Sequence, residues 1–255
     1  MKKRTIFLIV LVVFFPLNNL PSFANEMPIK NLSISAHHDL EENVEENSLQ
    51  QYLNSFPMIS SEALKTALSG YAALNEEGKI TQKDIITVID FSLPSTQERL
   101  FVINIKTKEL IEKSLCAHGK NSGELYATTF SNTSESNESS LGFYIANETY
   151  NGKHGYSLKL DGQEPGINSN ARERGIVMHA ADYVSKAFIN ATGRLGRSQG
   201  CPAVPTDQFQ KIISLIKGGS CLFIYHPDKF YRQHSSLLKN HNESCLAEEV
   251  SALGE

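Results

Sequence analysis

The sequence predicts a mainly β fold with a few short helices. Three runs rich in β-branched and aromatic residues follow one another along the chain, at residues 85–91, 99–105 and 110–117. A proline-containing turn, residues 93–96, separates the first two runs, and this arrangement is typical of a β-meander. Four further short apolar runs predict additional strands at residues 141–146, 156–160, 175–179 and 221–225.

Helical periodicity is confined to three segments. In the first, residues 60–75, apolar side chains recur at helical spacing after a serine that can cap the helix. A short helix is predicted over residues 182–189, and a third lies within residues 206–219, which begin with a Thr-Asp cap and end at a Gly-Gly pair. Residues 119–138 are rich in Ser, Asn, Thr and Gly, which indicates a long loop.

Both ends of the chain differ in composition from the predicted β region. Residues 1–24 have the features of an export signal: basic residues, a short apolar stretch, and small residues before a cleavage position after Ala24. The apolar stretch is shorter than the ~20 residues that span a bilayer, so no membrane span is expected after cleavage. We predict a signal peptide over 1–24, a flexible lead-in over 25–58, a helical segment over 59–83, a β domain over 84–226 and a polar tail over 227–255.

Charge and cysteine content limit the possible functions. The chain has a formal net charge of −4 at pH 7 and no basic stripe, so a nucleic-acid partner is not expected. An exported protein with four cysteines can form two disulfides. We do not expect this here, because Cys116 and Cys221 lie in predicted strands, where a free thiol packs as a small apolar group. A Cys221–Cys245 bridge is the alternative, and no clustered Cys and His spacing indicates a metal site.

One pair of residues indicates a chemical reaction. Cys201 lies between Gly200 and Pro202 in a turn sequence, where its thiol is accessible, and His179 ends an apolar strand 22 residues earlier. A thiol with a free pKa of about 8.5 becomes a nucleophile when an imidazole accepts its proton. Because Pro202 has no N–H, the amides of Gly200 and Cys201 are the candidate donors to an oxyanion. On residue types alone, an inert cysteine and a structural histidine are the alternative.

The sequence around this pair resembles the YkuD-type L,D-transpeptidases, and most closely the murein L,D-transpeptidase catalytic domains. The family order of His, a spacer and Ser/Thr-x-Gly-Cys is found in two runs, Ile176–His179 and Gly193–Pro205. The resemblance extends over about residues 84–226 and includes the runs Ile89–Ser92, Ala117–Gly123, Ser140–Tyr144 and Tyr150–Gly155. It implies a β-sandwich of mixed sheets with short helices, and a reaction that needs no metal or organic cofactor.

The resemblance also implies roles for individual residues. Cys201 is the expected nucleophile, and His179 is the expected general base and acid. Ser198 and Gly200 match the Ser/Thr and oxyanion positions of the motif. A backbone group at Ala180 is expected to orient the imidazole, because the alanine side chain cannot do so.

Two positions depart from the commoner family pattern. Gln199 replaces a His or Lys before the Gly-Cys pair, and Ala203 replaces an Arg two residues after the cysteine. We expect Arg194 or Arg197 to supply the missing positive charge beside a substrate carboxylate. His118, beside a glycine in a polar turn, is expected to be a solvated loop histidine. Three residues are candidates for the cleft wall, although each also fits a core or loop position: Tyr144, His154 and Tyr156.

The implied function is acyl transfer on peptidoglycan stem peptides by an exported, periplasmic or cell-wall-associated enzyme. Cys201 would attack the amide carbonyl on the L-centre of the third residue of a stem tetrapeptide and release D-alanine. The thioester would then pass to a neighbouring stem amine, which gives a 3→3 crosslink. Water as the acceptor would make the protein an L,D-carboxypeptidase, and a protein amine would make it an enzyme that anchors proteins to the wall. A non-catalytic wall-binding module is a further alternative, whereas a papain-like peptidase is not expected, because its Cys precedes its His.

Overall fold

The computed structural model describes residues 49–152 and 155–238. The predicted signal peptide, the first part of the predicted lead-in, the candidate residue His154 and the end of the predicted tail lie outside the described residues. Within the described residues, no helix combines the length and the apolar character needed to cross a bilayer.

Eight strands in the described residues form one mixed sheet. In chain order they are β1 (Ile85–Asp90), β2 (Leu100–Asn104), β3 (Glu109–Ser114), β4 (Gly142–Gly152), β5 (Gly155–Gly162), β6 (Val177–Ala180), β7 (Ala203–Val204) and β8 (Ser220–Tyr225). Their spatial order is β3-β2-β1-β8-β4-β5-β6-β7. β1 is parallel to β8 and β6 is parallel to β7, whereas the other neighbours are antiparallel.

The two ends of this sheet meet. Ala117, which follows β3, forms an antiparallel bridge with Ala203 of β7, and the two backbones exchange hydrogen bonds of 2.8 and 3.3 Å. The sheet is therefore curled, and its central strands β1 and β8 are buried along their full lengths. The prediction of a mainly β fold with mixed strand directions and short helices is confirmed. The expected sandwich is made by one sheet that curls until its two ends are joined.

Short helices cover the sheet. They are α1 (Ser61–Glu76), α2 (Lys186–Thr192), α3 (Phe209–Ile216) and α4 (Lys229–His234). α1 begins after Ser60, whose hydroxyl accepts a hydrogen bond from the Ala63 amide at 3.3 Å. Gly70 of this helix lies so close to the Phe143 ring of β4 that a Cβ would collide with it. α1 therefore packs directly on the sheet.

The predicted domain limits differ from the packing in two places. Residues 49–54 are helical, and Tyr52, which falls in the predicted flexible lead-in, is buried and donates a hydrogen bond to the Ile105 carbonyl at 2.8 Å. In the predicted polar tail, Tyr231 of α4 is buried, and its hydroxyl donates to Glu164 at 3.2 Å. Both segments are polar on average, but a buried tyrosine with a satisfied hydroxyl is enough to hold such a segment against the core.

Candidate active site

β6 and β7 bring His179 and Cys201 to one end of the sheet. His179 lies opposite Ala203 in the parallel register of these strands, and its amide donates to the Pro202 carbonyl at 3.4 Å. Cys201 lies two residues before β7, so this pairing draws its turn alongside the histidine. His179 and Cys201 both line one open cleft with a volume of about 940 Å³. The structure thus brings together the two residues that the sequence singled out.

The imidazole of His179 is oriented by a backbone carbonyl. Nδ1 lies 2.9 Å from the carbonyl oxygen of Ala180, and a carbonyl can only accept, so Nδ1 carries the hydrogen. In the neutral ring the lone pair is therefore on Nε2, and this is the nitrogen that can accept a proton. The contact is with the backbone of Ala180, as the family resemblance implies.

The thiol of Cys201 is half-buried and lies against the chain that leads into β6. The Val177 amide donates to Sγ at 3.5 Å, and the thiol donates to the Gly175 carbonyl at 3.7 Å. Burial raises the pKa of Cys201, while the Val177 amide and the Arg174 charge act in the opposite direction. Because burial dominates, the thiol is protonated at neutral pH and needs a base before it can act as a nucleophile.

The Cys201 turn, residues 198–202, is closed by one hydroxyl. Ser198 Oγ accepts from the Gly200 amide at 3.0 Å and donates to the Cys201 carbonyl at 2.6 Å. Gly200 has φ +119°, and a Cβ there would lie 2.7 Å from the Glu138 carbonyl oxygen, so only glycine fits. The Gly200 amide is used inside the turn, which corrects its predicted role as an oxyanion donor. Of the two predicted donors to an oxyanion, the Cys201 amide is the one that does not bind Ser198 Oγ.

A buried arginine supports the Cys201 turn through the loop after β3. Two backbone hydrogen bonds connect this loop to Ser198. The Ser198 amide donates to the His118 carbonyl at 3.0 Å, and the Lys120 amide donates to the Ser198 carbonyl at 2.8 Å. Fully buried Arg99 places Nη2 2.8 Å from Nδ1 of His118. Burial and the Arg99 charge lower the pKa of His118 to about 4. The ring is therefore neutral, and Nε2 donates to the Gly123 carbonyl at 3.2 Å. The expectation of a solvated histidine at position 118 is wrong, because the ring is buried.

The predicted substrate-binding residues are only partly in the cleft. Arg197 lines it, with Nη1 2.7 Å from a Glu124 carboxylate oxygen. Arg194 pairs with the same carboxylate at 2.8 Å but does not line the cleft. Tyr144 is fully buried in β4, and Tyr156 packs edge-on against an aromatic ring of α3, so neither reaches the cleft. Of the two candidate arginines, Arg197 is therefore the one in the cleft, and Tyr144 and Tyr156 take the core alternative that the sequence left open.

Two residues that line the cleft with Cys201, Arg174 and Tyr183, were not predicted from the sequence. Burial, with a further contribution from the Cys201 charge, raises the pKa of Tyr183 to about 12. Gly196 allows this tyrosine to approach, since its amide donates to the Tyr183 carbonyl at 2.9 Å and a Cβ there would collide with the tyrosine side chain. The signal for Arg174 was slight, namely its position directly before the glycine that opens the histidine strand, and we find none for Tyr183. The cleft has further charged residues: Lys120, Glu135, Glu173 and Asp182.

Comparison with protein families places the chain among known catalytic domains. The family described as L,D-transpeptidase catalytic domain matches residues 56–225. This match spans most of the chain, and the protein belongs to that family. The resemblance seen in the sequence is thereby confirmed, and the match begins upstream of the predicted limit at residue 84, so it includes α1. The comparison with curated proteins gives no match.

Several solved L,D-transpeptidase structures are similar at low sequence identity. The L,D-transpeptidase from Mycobacterium smegmatis is 12% identical with a TM-score of 0.35, over 56% of this chain and 59% of that chain. The one from Stackebrandtia nassauensis is 14% identical with a TM-score of 0.36, over 64% and 66%. L,D-transpeptidase 3 from Mycobacterium tuberculosis, in complex with a faropenem-derived adduct, is 11% identical with a TM-score of 0.36, over 56% and 60%. Each match spans less than two thirds of the relative's length, and the family assignment rests on the sequence match.

Proposed function

We propose that the protein is a cysteine-dependent L,D-transpeptidase that joins peptidoglycan stem peptides by 3→3 crosslinks outside the cytoplasm. Membership of the L,D-transpeptidase family supports the reaction class. The observation that carries the proposal is the shared cleft of Cys201 and His179, in which the Ala180 carbonyl leaves the basic nitrogen of the imidazole at Nε2. The export signal predicted over residues 1–24 supports the location.

In the first half-reaction, Nε2 of His179 takes the proton from the Cys201 thiol, and Sγ attacks the amide carbonyl on the L-centre of the third stem residue. A C–S bond forms, and the carbonyl oxygen becomes an oxyanion for which the Cys201 amide is the candidate backbone donor. The oxyanion then collapses, the C–N bond to D-alanine breaks, and His179 returns the proton to the leaving amine. The products are a thioester on Cys201 and free D-alanine.

In the second half-reaction, the side-chain amine of a neighbouring stem attacks the thioester. Its proton passes to His179 and then to the sulfur as the C–S bond breaks, which leaves a new amide and restores the thiol. The mixed charges of the cleft suit substrates that carry both carboxylates and amines: Lys120, Arg174, Arg197, Glu135, Glu173 and Asp182. With water or a protein amine as the acceptor, the same thioester gives the carboxypeptidase or the anchoring reaction.

The test is incubation of the chain from residue 25 onwards with disaccharide tetrapeptides, followed by mass spectrometry. We expect dimers that have lost one D-alanine, and no dimers from Cys201→Ala or His179→Gln. His234→Gln is the matched control, because His234 also places Nδ1 against a backbone carbonyl, that of Phe230 at 2.8 Å, but is exposed on α4. This control should form dimers at the wild-type rate.

The other outcomes distinguish the alternatives. Monomers that lose D-alanine without dimerising would identify a carboxypeptidase, and equal dimer formation by Cys201→Ala would exclude the thioester. No reaction at all would leave a wall-binding module or an enzyme that accepts only a protein amine. A carbapenem separates these two, because a competent thiol enzyme should gain the mass of the drug at Cys201, as family membership implies, and a binding module should not.

A further inference from the structure

The guanidinium of Arg174 lies behind the Cys201 turn. Nη2 donates to the Glu138 carbonyl at 2.8 Å, and Nη1 donates to the Ser131 carbonyl at 2.7 Å and to Ser140 Oγ at 2.6 Å. A Cβ built on Gly200, the residue before Cys201, would lie 3.5 Å from Nη2. The side chain therefore ties residues 131–140 of the cleft wall together, and its guanidinium lies next to the Cys201 turn.

The charge of Arg174 is not matched by a carboxylate in these contacts. Within the described part of the chain, its hydrogen bonds go to two carbonyls and two serine hydroxyls, the second hydroxyl being that of Ser136 at 3.1 Å. Arg197, the other arginine of the cleft, is paired with Glu124. Its hydrogen bonds offset part of the desolvation cost of this half-buried cation, and nearby negative charge, that of the Glu138 carboxylate or of an ionised Cys201, offsets more.

Arg172, two residues earlier on the same loop, shows the contrast. It is exposed and binds two carboxylates, Glu148 at 3.0 Å and Asp161. Both arginines are on the segment before β6, but only Arg174 faces the cleft. The local sequence therefore supplies one arginine that is neutralised at the surface and one that is turned toward the thiol.

We propose that Arg174 is a positioning residue that holds the wall of the cleft against the Cys201 turn and stabilises the thiolate of Cys201. The proposal rests on the proposed function only in taking Cys201 as the nucleophile.

The electrostatic part of this role has a defined sign. A cation beside a thiol favours its charged form, so removal of Arg174 should raise the pKa of Cys201. Other titratable and charged groups line the same cleft or act on Arg174: Lys120, Glu135, Glu138, Tyr144, Glu173, His179, Asp182, Tyr183 and Arg197. Their contributions are the same in all Arg174 variants, so a comparison between variants isolates the arginine.

The experiment follows alkylation of Cys201 by iodoacetamide as a function of pH, with the labelled peptide quantified by mass spectrometry. For Arg174→Gln we expect the midpoint of the profile to move to higher pH and the rate at pH 7 to fall at least about threefold. Arg174→Lys keeps the charge, so the midpoint pH of its profile should lie close to that of the wild type. Arg172→Gln should match the wild type, because Arg172 is neutralised by two carboxylates and does not line the cleft.

A profile for Arg174→Gln that coincides with the wild-type profile would overturn the proposal. So would equal rate losses in the Gln and Lys variants without a shift of the midpoint, since that pattern indicates packing alone. If Arg174→Gln does not fold, Arg174→Met keeps the apolar stem and takes its place. The assay uses no peptidoglycan, so its result stands apart from the stem-peptide test of the proposed reaction.

Discussion

Ser198 shows how much of the candidate site depends on single atoms. Its hydroxyl bridges the Gly200 amide and the Cys201 carbonyl, so one side chain fixes the 199–200 and 201–202 peptide groups of the Cys201 turn. Cys201 and His179 could be predicted from the sequence, because a glycine and a proline flank the cysteine and an apolar strand ends at the histidine. It could not show that the Gly200 amide turns inward, because that direction depends on the rotamer of Ser198.

Ser198→Ala should destabilise the turn and slow its chemistry. A buried amide left without its acceptor costs about 1–3 kcal/mol, which for a chain of this length corresponds to a melting temperature lower by about 5 °C. Thermal unfolding and iodoacetamide alkylation of Cys201 measure the two effects. Ser198→Thr keeps the hydroxyl and should retain most of both properties, and equal losses in the Ala and Thr variants would argue against the hydroxyl bridge.

The loop after β3 is the element on which the Cys201 turn rests. Its polar composition predicted a solvated surface loop, but Arg99, just before β2, reaches under it and binds His118. A lone arginine beside a strand gives no sequence signal that it will be buried. Its burial and its hydrogen-bond partner both depend on tertiary packing. The strand β7 was missed for a related reason, since two residues are too few to show alternation.

The neutral state of His118 should make stability depend on pH. Its pKa is about 4 in the folded chain and 6.5 as its ordinary value, so the unfolded chain binds the proton first as the pH falls. The contribution of neutral His118 to the unfolding free energy is therefore complete above pH 6.5. It is lost as the pH falls from about 6.5 to 4, by up to about 3 kcal/mol. Urea unfolding at pH 7 and pH 5 measures it.

His118→Gln removes this titration and should therefore show a smaller fall in unfolding free energy between the two pH values than the wild type. Exposed His234 provides the control, and His234→Gln should keep the wild-type dependence. If His118→Gln loses as much stability as the wild type over this range, the buried neutral state of His118 is not the source.

At the scale of the whole molecule, α4 is part of the folded unit. The buried carboxylate of Glu164 accepts from the Phe143 amide at 2.8 Å, from the Tyr231 hydroxyl and from the Ser235 hydroxyl. Two of these three donors come from the segment predicted as a polar tail. The sequence limit at residue 226 followed the last apolar strand, and average polarity concealed the side chains that cross back to the core.

A chain that ends at residue 226 should be less stable than one that ends at residue 238. Loss of the Tyr231 and Ser235 donors leaves Glu164 buried with fewer partners, and we expect the unfolding free energy to fall by about 3 kcal/mol or more. Tyr231→Phe in the longer chain removes one donor and should cost about half as much. Urea unfolding compares all three, and equal stability of the two chain lengths would show that α4 contributes little.

The joint between Ala117 and Ala203 has a consequence for the order of events in folding. The two residues are far apart in sequence, and their short bridge forms only when the strands on either side are already in place. The turn that presents the thiol sits directly on this joint, so amide exchange at these two residues should report its opening. We expect a partly folded chain to keep its central strands and yet offer no competent nucleophile, so that reactivity of Cys201 marks the completed fold.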